Sequence, residues 1–92
     1  MSSGKNAPGA AIPAKTVIIG ATGRMGAMLR ARALAAGLAV AGADQPLTPE
    51  ILAPACAGAD LALICVPAAV FEDVLLRVRP HLPSTAVVAD NT

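Results

Sequence analysis

Residues Ile19 to Gly26, I-G-A-T-G-R-M-G, stand between an apolar run of β type and an Ala/Leu-rich run of helical type. That placement restricts the fold more than any other stretch of the chain. Val17, Ile18 and Ile19 predict a short buried strand, Gly20, Gly23 and Gly26 punctuate the turn after it, and Arg24 to Ala36 predicts a helix. A strand that passes through a glycine turn into a helix leaves backbone N–H groups open beside the positive end of the helix dipole. Such an end attracts anions, phosphate foremost. The three glycines divide the work among tight turning, close approach of backbone to a pyrophosphate, and close packing of helix on strand. Three glycines in seven residues also occur in ordinary strand-to-helix turns, so the context has to decide. The spacing is G-x-x-G-x-x-G, with Ala21 where many dinucleotide sites have their first glycine. It does not by itself choose between NAD and NADP.

The context is a βα alternation. Gly37 predicts the C-cap of the first helix. Leu38 to Ala43 predicts a second strand ending at Asp44, and Gln45, Pro46 and Leu47 a turn. Thr48 offers an N-cap, with Pro49 at the first helical position and Glu50 in the first turn, for a short helix ending near Ala57 or Gly58. The continuous apolar run Leu61 to Val66 suits a strand buried on both faces of a parallel sheet. Pro67 closes it. Val70, Phe71, Val74, Leu75 and Val78 recur at helical spacing between Ala68 and Arg79, Pro80 and Pro83 break that helix, and Ala86 to Ala89 predicts a fourth strand ending at Asp90.

The expected fold is therefore α/β: a three-layer Rossmann-like parallel sheet with helices on both faces. Only sixteen residues separate Asp44 from Leu61, too few for the third strand of a full Rossmann half. The Leu61–Val66 strand accordingly belongs beside the first, giving the order 2-1-3-4. The chain then reverses direction between strands 1 and 3, and ligands bind beyond the carboxyl ends at such a switch point. Residues 15–92 are expected to form this one domain, preceded by a flexible Gly/Ser/Ala/Pro-rich leader, Met1 to Ala14.

Composition removes several classes of partner. With 55% hydrophobic and 14% charged residues the chain folds around a core. A net charge of +1, scattered Lys and Arg, and one aromatic residue give no case for nucleic acid. No apolar run approaches the roughly 20 residues that span a bilayer. Cys56 and Cys65 are too few and too isolated for a disulfide framework or a zinc site, which fits a reducing cytoplasm.

Asp44 lies eighteen residues beyond Gly26 at a strand end, where an acidic residue accepts bonds from the adenosine ribose and repels a 2′-phosphate. No Lys or Arg follows it directly, so NAD is favoured over NADP; the plainer alternative is that Asp44 starts a turn. Thr22 is expected to offer its backbone N–H to the phosphates, with or without its hydroxyl. Arg24 either reaches the pyrophosphate or is a solvated surface residue, and if it swings to the ribose it admits NADP. Met25 is read as packing beneath the nucleotide. Cys65 is read as structural, because no base or cation in the sequence activates it. His81, between two prolines at the far end of the sheet, is a loop residue. No residues form a nucleophile–base pair or a metal site, so a binding site is expected and no catalytic one.

With these motifs in place, the chain resembles the N-terminal cofactor domain of the prephenate dehydrogenases of tyrosine biosynthesis. The likeness runs from Thr16 to Thr92, about five-sixths of the chain. It rests on V-I-I-G-A-T-G-R-M-G, on A-D-L-A-L-I-C-V-P-A-A-V-F-E-D-V-L and on L-P-S-T-A-V-V-A-D-N-T. The resemblance implies oxidative decarboxylation of prephenate or arogenate with hydride transfer to NAD. By position, Gly20 to Gly26 would hold the pyrophosphate and Asp44 the ribose. Cys65, Val66 and Pro67 would line the nucleotide, and Asp90, Asn91 and Thr92 would approach the nicotinamide end. The family often has Gly at Ala21 and Ser at Cys65. It continues past the Asp-x-Thr strand end into Ser-Val-Lys, a catalytic histidine and a helical substrate domain, so this stretch is expected to be incomplete at its C-terminus and inactive alone. A four-stranded sheet with an open last strand is expected to associate with other copies or to be marginally stable. G-A-T-G-R-M-G also looks like the opening of dihydrodipicolinate reductases, and the short length suits a non-catalytic dinucleotide-sensing module.

Overall fold

A computed structural model of the chain describes residues 14–90. Four strands, β1 (Thr16–Ile19), β2 (Val40–Ala43), β3 (Leu61–Ile64) and β4 (Val87–Asp90), alternate with helices α1 (Arg24–Ala35), α2 (Pro49–Cys56) and α3 (Ala68–Val78). All pairings are parallel and the spatial order is β2-β1-β3-β4, the 2-1-3-4 arrangement expected. Of the expected leader, Met1 to Pro13 lie outside the described residues. Ala14 is tethered, its N–H donating to Asp60 Oδ2 at 2.6 Å.

The element boundaries differ from expectation by one to two residues, each for a hydrogen-bonding reason. Leu38 does not join β2, because its N–H donates to Ala33 O while that of Gly37 donates to Leu34 O. With Gly37 at φ +81, these bonds close α1 in a Schellman turn. β3 stops at Ile64: Cys65 N–H still reaches Ile19 O at 2.8 Å, but the chain then turns away through Val66 to Pro67, the N-cap of α3. Ala86 N–H is used in a turn to Pro83 O, so β4 starts one residue later, at Val87. Thr48 occupies the N-cap of α2, but its hydroxyl makes no cap bond; its carbonyl accepts from Ile51 and Leu52. Pro54 lies inside α2, and Pro80 ends α3 in a 3-10 turn, Arg79–His81.

From β1 the chain steps one way to β2 and the opposite way to β3 and β4. Right-handed crossovers then put α1 on one face of the sheet and α2 and α3 on the other. The core lies on the second face. Val17, Ile19, Ala43, Ala62 and Ile64 of the strands pack with Leu47, Leu52, Cys56 and Ala59, and with Val74 and Val78 of α3. Burying a side chain such as Leu52 or Ile64 stabilises the fold by about 1.5–3 kcal/mol. Lys15 Nζ fastens the foot of β1 to the end of α2, donating to Pro54 O at 3.2 Å and Ala57 O at 2.7 Å. An ammonium there meets the carbonyl-rich, negative end of the helix.

Candidate dinucleotide site at the carboxyl edge of the sheet

Register brings the site together. Ile19 pairs with Ala43 and with Ile64, and Ile64 pairs with Asp90, so all four strands end on one line. The next residues on the first three strands are Gly20, Asp44 and Cys65. They form a row at the switch point, although they are spread over forty-six positions of sequence.

The glycines in and beside this row have different reasons to be glycine. Gly20 has φ +88, in the left-handed region, and a Cβ on it would run into the carbonyl of Cys65. At Gly26 a Cβ would run into the carbonyl of Gly20, so the first turn of α1 sits directly on the strand end. Both are demanded by the fold. Gly23 is not. Its φ of −68 and ψ of 166 suit any residue, and a Cβ there would meet only Gly20 O, at 3.4 Å. What its missing side chain leaves is space over the turn. Gly42 in β2 plays a part the sequence did not reveal: a Cβ there would lie 2.7 Å from that of Ala21, which is buried against it.

Gly23 is also the N-cap of α1 and supplies no side-chain cap. Ala27 N–H returns to Gly23 O, but the N–H groups of Arg24, Met25 and Gly26 find no acceptor among the described residues. These are the open donors of a helix start. Arg24 and Met25 are exposed beside them, Met25 at 45%. Met25 therefore does not pack into the protein's own core.

Thr22 and Asp44 meet, and not in the expected way. The backbone N–H of Thr22 donates to Asp44 Oδ1 at 3.0 Å, and its hydroxyl donates to the same oxygen at 3.0 Å. The Thr22 N–H thus points to the carboxylate, and the donors open to a phosphate are those of residues 24–26. Asp44 Oδ2 accepts no bond among the described residues. Beside this pair, Ala21, Thr22, Ala27, Arg30, Ala31 and Leu34 line an open groove of about 480 Å³ along α1. Small residues at 27 and 31, one helical turn apart, are the sequence signal for it.

The second wall is the β3–α3 turn. Cys65 and Val66 are half-buried and Pro67 is exposed. The Cys65 carbonyl packs on Gly20, and Val66 Cγ1 lies 3.5 Å from the position a Gly20 Cβ would take. Asp90 ends β4, level with Ile64; Asn91 and Thr92 lie outside the described residues.

The remaining reactive residues lie elsewhere. His81 is in the 3-10 turn after α3, at the amino end of the sheet. Cys56 is fully buried in the core; burial raises its thiol pKa, and the nearby Lys15 ammonium lowers it in part. Among the described residues no cluster of three or more His, Cys, Asp or Glu could hold a metal ion, and no helix is long and apolar enough to cross a membrane. No protein-family model matches the chain, and no curated protein matches it significantly.

Proposed function

We propose that this chain is the dinucleotide-binding domain of an NAD-dependent oxidoreductase, of the prephenate dehydrogenase type that its motifs resemble. The observation that carries the reading is Gly23. It is a glycine that neither backbone conformation nor packing requires, placed where three helix N–H groups are open. Close approach of a pyrophosphate explains both facts.

In this reading the N–H groups of Arg24, Met25 and Gly26 hold the pyrophosphate, Asp44 receives the adenosine ribose, and Cys65-Val66-Pro67 forms the wall along which the nucleotide extends. Arg24 lies near enough in sequence to add a cation to the phosphates. The carboxylate of Asp44 repels a 2′-phosphate and so favours NAD over NADP. Bound there, the nicotinamide would accept a hydride from prephenate or arogenate as the substrate loses its carboxyl group. The described residues are assigned cofactor binding and no catalytic step. A cytoplasmic protein that self-associates through the open side of β4, where Val87 is 62% exposed, completes the proposal.

The test is a titration of NAD⁺ and NADP⁺ into the wild type, Gly23→Ala and Asp44→Ala. NAD⁺ should bind the wild type more tightly than NADP⁺. Gly23→Ala should fold and lose about tenfold or more in affinity for both, while Asp44→Ala loses the preference. Absence of binding at millimolar nucleotide overturns the cofactor reading. Wild-type affinity in Gly23→Ala overturns its central observation.

A further inference from the structure

The paired bonds from Thr22 to Asp44 reach beyond general cofactor binding, although their role in specificity rests on the dinucleotide reading of the same site. Both donors of one residue in the glycine turn converge on a single carboxylate oxygen at the end of a neighbouring strand. An isolated aspartate at a strand end turns about two side-chain torsions. One donor fixed in the backbone of the turn and the hydroxyl beside it restrict that freedom, and the other oxygen keeps its full acceptor capacity.

We infer that Thr22 is a positioning residue that sets the nucleotide specificity of the site. By holding Oδ1 it fixes the negative charge of Asp44 at the end of β2 and leaves Oδ2 as the acceptor for a ribose hydroxyl. A hydroxyl in its path gains a hydrogen bond to an acceptor already oriented, while a phosphate meets a charge that does not swing away. Without the hydroxyl of Thr22 the carboxylate keeps only the bond from the Thr22 N–H, and that weaker hold lets a 2′-phosphate turn it outward. Discrimination thus comes from the rigidity of Asp44 as well as from its charge. The arrangement also ties ribose recognition to the phosphate turn: Asp44 is oriented only when the turn from Gly20 to Gly23 is formed, because the N–H of Thr22 belongs to that turn.

The experiment compares Kd for NAD⁺ and NADP⁺ in the wild type, Thr22→Val and Thr22→Ser by calorimetric titration, with thermal melts of each. Thr22→Val keeps the β-branched shape and removes the hydroxyl; Thr22→Ser keeps the hydroxyl. Thr22→Val should bind NAD⁺ about three- to tenfold more weakly, the size of one lost hydrogen bond. It should bind NADP⁺ as well as or better than the wild type, and Thr22→Ser should keep the wild-type ratio. Equal losses for both nucleotides in Thr22→Val would assign the hydroxyl to the phosphates and overturn the inference. An unchanged ratio in Thr22→Val overturns it too, with the cofactor reading left standing. If the wild type binds neither nucleotide, the cofactor reading itself falls and this inference with it. Thr22→Ala, read in the same way, replaces Thr22→Val should the valine variant not fold.

Discussion

The two faces of the sheet are built on different principles. On the face of α2 and α3, Val17, Ile19, Ala62 and Ile64 are fully buried under Leu52, Cys56, Val74 and Val78. On the face of α1, Ile18 is buried, but within α1 itself only Gly26 is, and Met25, Met28 and Leu34 are exposed. One face is held by side-chain volume. The other is held by close approach at small residues, with Gly26 on the Gly20 carbonyl and the Ala21 methyl on Gly42. A glycine contact seats α1 on the sheet and leaves its first turn uncovered, which bulky side chains would not do. The difference therefore separates the residues that make the fold from those that make the site.

The largest effects are expected where volume does the holding. Ile64→Ala or Leu52→Ala should lose about 2–5 kcal/mol in denaturant unfolding, through lost burial and a residual cavity. Gly20→Ala comes next, on the backbone-held side. A left-handed φ of +88 and a collision with the Cys65 carbonyl should together cost about 2–4 kcal/mol in the same measurement. Gly23→Ala, three residues away, should cost under about 1 kcal/mol, as a change of N-cap residue does. If Gly23→Ala is as damaging as Gly20→Ala, the division between fold glycines and site glycine is wrong. Leu34→Lys, at a position 53% exposed on α1, should shift stability by no more than about 0.5 kcal/mol.

A pH series probes the packed face alone. Burial raises the Cys56 thiol pKa above the ordinary thiol range. An acid whose folded pKa is raised binds its proton more tightly in the folded state than in the unfolded one. Its contribution is therefore complete below the unfolded pKa and is lost as pH rises from about 8.5 through the folded value. Thermal melts should fall in this alkaline range for the wild type, and Cys56→Ala should lack that part of the fall. Iodoacetamide should label the half-buried Cys65 before Cys56 in native protein. Equal rates would show that the α2–α3 face opens as readily as the site.

The strand order was readable because it depends on lengths: sixteen residues between Asp44 and Leu61 leave no room for another strand beyond β2. The glycine turn was readable because glycine has few reasons to recur at a strand end. Which glycines the fold requires was not, since that depends on how near the Cys65 and Gly20 carbonyls lie in space. Thr22 and Asp44 were each singled out by position, yet their bond was invisible. It spans twenty-two positions and exists only because β1 and β2 end in register. The grip of Lys15 on the end of α2 was hidden for the same reason, as a lone lysine before a strand has no local sign of a distant helix end.

The alternation of strands and helices, the order of the sheet and the position of the glycine turn are thus legible in the chain itself. These follow from periodicity, loop length and the conformational habits of Gly and Pro, all local quantities. Packing in three dimensions settles that the fold does not need glycine at 23, that the helix donors at 24–26 find no acceptor among the described residues, and that Thr22 faces Asp44. Those depend on distances of about 3 Å between residues far apart in the chain, which no local pattern encodes.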